Sequence, residues 1–249
     1  MTDRRVQLVP GYLLHHTPYR DTSRILEVLT RDHGRLTLFA RGARGPKSRL
    51  AAVLQPFQPL LLSWSGRGEA PQLTGAELEG APRPLRADCL MAAFYLNELI
   101  LKLTTRHDPH PALYHAYART LEALTSEPQA DRIALARPLR LFERRLLEEV
   151  GYGLDLQRSA ADGGAIDPAR FYQFRPERGL VAAAALAPGA ISGSSLIALA
   201  REQLADPKEL EDARRLLKAA LDHCLEGREL ATRAVARAIE GRRRAARRD

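Results

Sequence analysis

The residues best suited to chemistry lie between Arg35 and Arg49, where Arg35, Arg41, Arg44, Lys47 and Arg49 follow one another with no acidic residue between them. Such a run is what a polyanion-binding surface requires, because each cation that meets a phosphate releases a condensed counterion. Within it, Gly42-Ala43-Arg44-Gly45-Pro46-Lys47-Ser48 has the outline of a phosphate loop. A Walker A loop, however, sets four residues between its glycines and a glycine directly before the lysine. Here Pro46 precedes Lys47 and removes an amide donor, so a nucleoside-triphosphate site is not expected. A GxxG clamp of the KH type joins two helices, whereas this loop follows a strand. On that strand Leu36, Leu38 and Ala40 point one way, while Arg35, Thr37, Phe39 and Arg41 point the other. The second set places an aromatic ring among guanidiniums, a surface able to hold single-stranded nucleic acid by stacking worth about 1–3 kcal/mol per base. Phe39 is equally compatible with a buried core.

The remaining candidates give no catalytic constellation. No G-x-S-x-G elbow surrounds Ser65, Ser192 or Ser194. His107, His110 and His115 come close together, but without an H-E-x-x-H pattern they mark the start of a helix rather than a metal site. Glu143, Glu148 and Glu149 lie beside Arg144 and Arg145 at helical spacing and form a solvated ionic face. Arg140 sits among the large apolar residues Leu139, Leu141 and Phe142, where an arginine can receive a peptide carboxylate or merely snorkel from a core edge.

The elements that carry these residues follow from periodicity. In the first 80 residues, apolar or alternating segments at Gln7–His15, Ser23–Thr30, Arg35–Arg41, Pro59–Trp64 and Gln72–Leu78 are separated by turn chemistry, which predicts a five-stranded OB-type barrel. From Pro84 onward the spacing becomes three-to-four, through Leu85, Cys89, Ala92, Leu96, Leu99 and Leu103. Further helices are predicted over Pro111–Ser126, Ala130–Val150 and Pro207–Ile239. The fold class is therefore α+β: a barrel over 1–80, then a helical bundle over 81–240, interrupted by a small irregular insertion at about 151–195 that contains a hairpin from Phe171.

Of the 249 residues, 38 are basic and 30 acidic, for a net charge of +8. Half of that excess lies in residues 1–80 and half in the tail 241–249, which is expected to be disordered. Cys89 and Cys224 are 135 residues apart and form no C-x-x-C pair, so a disulfide scaffold or a four-cysteine zinc site is excluded and both read as buried apolar residues. No apolar stretch is long enough for a signal peptide or a membrane span, and a cytoplasmic location is expected.

Taken in order, Gly11 to Leu26 with its Pro18-Tyr-Arg-Asp-Thr-Ser-Arg core, Gly34 to Arg44, Leu54-Gln-Pro-Phe-Gln-Pro-Leu60, Tyr95-Leu-Asn-Glu-Leu99, Val150-Gly-Tyr-Gly153 and Gly227-Arg-Glu-Leu-Ala-Thr-Arg233 resemble the RecO family. RecO proteins are bacterial mediators of DNA recombination and repair. The resemblance implies a non-enzymatic protein without cofactor or metal that binds single- and double-stranded DNA and anneals complementary strands. It also implies, together with RecR, the loading of RecA onto DNA covered by single-strand binding protein, at the nucleoid. DNA-binding residues are then Arg35, Phe39, Arg41, Arg44, Lys47 and Arg49. A pocket for the acidic C-terminal peptide of single-strand binding protein would include Arg140, Leu139, Phe142 and Val150. Many members carry four cysteines as a zinc finger in the insertion; Gly151–Ser195 has none, which resembles the zinc-free branch. Two other readings fit the composition: an RNA-binding OB-fold protein of the translation machinery, and a metal-dependent nuclease.

Overall fold

The computed structural model describes residues 5–45, 48–126 and 132–245. In chain order the elements are β1 (Arg5–Tyr19), β2 (Ser23–Thr30), β3 (Gly34–Ala40), α1 (Arg49–Val53), β4 (Pro59–Ser65), β5 (Gln72–Leu78), α2 (Leu90–Leu103), α3 (Pro111–Ser126), α4 (Arg132–Glu149), β6 (Phe171–Arg175), β7 (Gly179–Ala183), β8 (Ile191–Ser192), α5 (Gly193–Ala200), α6 (Pro207–Cys224) and α7 (Ala231–Ala245). They form two compact units, residues 1–125 with 230–249, and residues 126–229.

In the first unit, β1 to β5 close into a barrel of order β1-β2-β3-β5-β4, the OB-type architecture expected from the turn spacing. Closure depends on the length of β1, which pairs with β2 along Gly11–Tyr19 and with β4 along Arg5–Tyr12. Register shifts between Val6 and Val9 and between Leu13 and His15 let one strand serve both neighbours. The inward residues make one core of Leu13, Leu26, Val28, Leu36, Leu38, Leu60, Leu62, Trp64 and Leu73. The β2–β3 turn needs Gly34 at φ +67, since a Cβ there would lie 2.2 Å from the Asp108 carbonyl oxygen.

The helices differ from their expected limits in ways that local chemistry explains. α2 begins at Leu90 rather than at Pro84, after a turn at residues 87–89. The single helix expected over Pro207–Ile239 is two, because Glu226 (φ +50) and Gly227 (φ +81) turn the chain after α6. α7 then belongs with the barrel unit, as do α2 and α3, so the boundary drawn at residue 80 falls inside a compact unit. Of the tail expected to be disordered, residues 241–245 continue α7; the last four lie outside the described residues. Glu98 of α2 starts α7 by accepting the backbone N–H groups of Ala231 (2.8 Å) and Thr232 (3.0 Å).

In the second unit α4 packs on α6 around buried Phe142, Leu146, Leu147, Leu217 and Leu221. The expected hairpin is present as β6 and β7, with β8 added on the other side of β6. The insertion is more regular than its glycines suggest, because Asp212 of α6 organises it. The Asp212 carboxylate accepts from the Ser192 and Ser195 hydroxyls (3.1 and 2.8 Å) at the start of α5 and is paired with Arg215. Cys89 and Cys224 are both buried thiols, and burial pushes Cys224 up to about 11.

Candidate nucleic-acid interface

Strand alternation on β3 sends Leu36, Leu38 and Ala40 into the barrel and leaves Arg35, Thr37 and Phe39 on the outer face. The fate of that outer face depends on what lies beside it. At its amino-terminal end Arg35 is enclosed: its side chain is 12% exposed, its Nη1 donates to Glu27 at 2.8 Å and its Nη2 to the Thr104 carbonyl at 2.8 Å. Glu27 also accepts from the Thr37 hydroxyl (2.8 Å) and from Arg106 (2.5 Å). Burial would push the Glu27 carboxyl up, but the hydrogen bonds from Arg106, Thr37 and Arg35 outweigh it and hold the group below the usual carboxylate range. A guanidinium so neutralised has little charge left for a phosphate. Arg35, expected in the DNA-binding set, is enclosed and ion-paired with Glu27, unlike the exposed Arg41, Arg44 and Arg49.

The carboxy-terminal end of β3 is different. Phe39 is half-buried and meets exposed Tyr19 edge to face, with centroids 5.6 Å apart at 89°. Strand pairing brings them together, since Thr17, Ile25 and Phe39 lie in one cross-strand row and Tyr19 ends β1 one step further on. The Arg20 guanidinium sits 5.3 Å from the Tyr19 ring centroid. A loop clasps this corner: Arg44 donates its backbone N–H to the Thr22 carbonyl (3.0 Å) and its Nη1 to the Arg20 carbonyl (2.8 Å). The result is a shallow cleft of about 560 Å³ lined by Tyr19, Arg20, Asp21, Phe39 and Arg41, among others. Arg20, Arg41, Arg44 and Arg49 are exposed, and among the described residues no carboxylate comes within ion-pair distance of them. Arg49 opens α1, whose amino-terminal cap is Ser48. Lys47 lies outside the described residues. Tyr19 and Arg20 were missed as site residues, although an aromatic followed by arginine in the first inter-strand turn is a readable cue, because OB folds bind through that turn and the adjoining strands.

Arg140 is not at an open groove. It is buried and pairs with the equally buried Glu143 through Nη2 at 2.6 Å, and its buried Nε has no hydrogen-bond partner. Glu143 thereby leaves the expected ionic face, which keeps Arg144 and Arg145, each 2.8 Å from Glu148. Phe142 is core, while Leu139 and Val150 are half-buried and eleven residues apart, roughly 16 Å along a helix, so the expected pocket walls do not converge. No group of three His, Cys, Asp or Glu side chains able to hold a metal occurs among the described residues, and no helix among them is long and apolar enough to cross a membrane.

Two family models cover almost all of the chain: recombination protein O N terminal matches residues 6–81, and recombination protein O C terminal matches residues 86–234. This chain belongs to the recombination protein O family. It is 44% identical over 237 residues to the DNA repair protein RecO of Burkholderia lata, covering 94% of this chain and 83% of that protein. Ralstonia nicotianae RecO is 43% identical with 94% and 85% covered, and Thiobacillus denitrificans RecO 41% identical with 96% and 94% covered. The family consists of DNA repair mediators rather than catalysts, and the N-terminal model coincides with the barrel that carries the Tyr19–Phe39 cleft.

Proposed function

We propose that this protein is a DNA repair and recombination mediator that binds single- and double-stranded DNA, anneals complementary strands and, with RecR, helps load RecA onto DNA covered by single-strand binding protein. The observation that carries the reading is the Tyr19–Phe39 aromatic pair ringed by the exposed Arg20, Arg41 and Arg44. Rings offer stacking to any base, and guanidiniums offset the phosphate repulsion that keeps two strands apart. Annealing requires only these two effects, with no bond made or broken. Arg49, exposed at the start of α1, extends the basic surface along the chain. The acidic C-terminal peptide of single-strand binding protein would be received at a surface other than Arg140, which is enclosed and paired with Glu143. The protein would work in the cytoplasm at the nucleoid.

The test is a strand-annealing assay with complementary oligonucleotides, bare and coated with single-strand binding protein, on the unmodified chain and on Arg41→Ala/Arg44→Ala. Each phosphate contact on a single strand contributes about 0.7 to the slope of log affinity against log salt, so the double variant should lose about 1.4 in slope and anneal more slowly. An unchanged slope would remove these arginines from the interface. Equal or greater affinity for RNA of the same sequence would favour the translational OB-fold reading.

A further inference from the structure

β1 carries one residue too many for a regular strand, and the surplus residue decides which side Tyr19 takes. Leu13 pairs with Val28 and His15 with Glu27, so Leu14 opposes no residue of β2, and it lies beyond the Arg5–Tyr12 stretch paired with β4. It is the extra residue of a β-bulge. On the amino-terminal side, Leu13 and its partner Val28 both belong to the barrel core. On the carboxy-terminal side, the residue opposite a core partner is His16, which faces Leu26. Three positions separate Leu13 from His16, an odd interval that a strand of period two bridges only with an insertion. The bulge thereby moves His15, Thr17 and Tyr19 to the outer face, beside Glu27, Ile25 and Ser23. Counted from Leu13 without it, Tyr19 would point into the barrel and Phe39 would lose its ring partner.

A bulge leaves the backbone of its extra residue outside the ladder, and in a buried stretch that backbone must find a partner elsewhere. Leu14 is 3% exposed, and its carbonyl accepts from Asn97 Nδ2 of α2 at 2.8 Å. Asn97 is itself buried, and its Oδ1 accepts from the Tyr117 hydroxyl of α3 at 2.5 Å. That second bond fixes the amide: with its oxygen committed to the phenol, its NH2 group is the one turned to Leu14. Tyr117 also meets Tyr12, two residues before the bulge, edge to face with centroids 5.1 Å apart.

We infer that Asn97 is a positioning residue for nucleic-acid binding, which holds the Leu14 bulge and through it keeps Tyr19 on the base-stacking face. The inference rests on the proposed DNA-binding reading and deepens it, since it traces the stacking corner to a buried amide on α2 that no strand can touch. From Leu14 to Tyr19 is five residues, roughly 17 Å of β-strand.

Asn97→Asp tests it, because a carboxylate still accepts from Tyr117 but has no hydrogen for the Leu14 carbonyl. Single-strand affinity is measured by the anisotropy of a labelled oligothymidylate for four full-length chains: the unmodified protein, Asn97→Asp, Tyr19→Ala and the double variant, each checked for its fold by circular dichroism. Asn97→Asp is expected to weaken binding about tenfold alone and less than about twofold on the Tyr19→Ala background, where the ring it places is already gone. Equal losses in the two backgrounds overturn the inference, because Asn97 would then act on the barrel as a whole. Unchanged affinity of Asn97→Asp overturns it as well, and both results leave the DNA-binding reading intact. Tyr19→Ala binding as tightly as the unmodified protein overturns the stacking corner itself, and the inference with it. Should Asn97→Asp not fold, Tyr117→Phe takes its place in the same comparison: it keeps the ring on Tyr12, removes the bond that orients the amide, and is expected to cost about threefold.

Discussion

Removing the Glu27 carboxylate should destabilise the barrel far more than it alters any surface property. Glu27 is 13% exposed at its side chain and holds Arg35, Thr37 and Arg106 together, joining β2 and β3 to the segment that follows α2. Glu27→Ala leaves the Arg35 guanidinium enclosed without its counter-charge, and breaking one side of a buried pair costs about 3–5 kcal/mol. Arg35 keeps its bonds to the Thr104 carbonyl (2.8 Å) and hydroxyl (3.3 Å), and the second pair, with half-exposed Arg106, is worth about 0.2–1 kcal/mol. The net expectation is about 2–4 kcal/mol. With a urea dependence of about 2 kcal/mol per molar, the midpoint should fall by about 1–2 M. Trp64 emission suits the assay because this residue belongs to the same barrel core.

The sign with pH is also determined. The folded-state Glu27 carboxyl titrates below its unfolded value, so its contribution is present in full above the ordinary carboxylate range and disappears as pH falls through the folded value. The gap between the unmodified chain and Glu27→Ala should therefore narrow in acid. A midpoint shift under about 0.3 M at neutral pH, or a gap that widens on acidification, would refute the assignment of Arg35 to structure and return it to the DNA-facing set.

Three further outcomes are expected. Tyr19→Ala should reduce single-strand affinity by about 1–3 kcal/mol, the value of one base stack, with little effect on urea stability because Tyr19 is exposed; nitrocellulose-filter or anisotropy titration reads it. Asp212→Asn should destabilise the second unit, since it weakens the bonds to Ser192 and Ser195 and the pair with Arg215. Burial raises the Asp212 carboxyl but the Ser192, Ser195 and Arg215 bonds prevail and lower it, so the contribution is lost as pH falls, and circular dichroism across an acid titration should show the variant losing helix at higher pH. Arg140→Ala should lower the urea midpoint of the chain while naked-DNA affinity stays unchanged, because it removes the cation of a buried ion pair; an unchanged midpoint would show that the pair adds nothing to stability.

What the chain discloses before folding is set by how far apart interacting residues lie. The outward set on β3 was readable because a strand's faces alternate with a period of two whatever surrounds it. Whether an outward residue is free was not readable, because the answer sits elsewhere in the sequence: Arg35 meets Glu27 eight residues back and Thr104 sixty-nine residues on. The same holds for Arg140, whose spacing to Glu143 allowed an ion pair but whose enclosure depends on how α4 meets α6. Asp212, unremarkable on a helix, organises an insertion whose glycines predicted irregularity. Tyr19 shows the converse, since a turn aromatic beside an arginine is a local cue that a count of cations alone passes over. A basic run therefore identifies a polyanion-binding segment, but its members divide into binders and struts according to whether the fold supplies a carboxylate. For β3 that carboxylate is Glu27, and it reaches Arg35 while Arg41, six residues further along, stays clear of it.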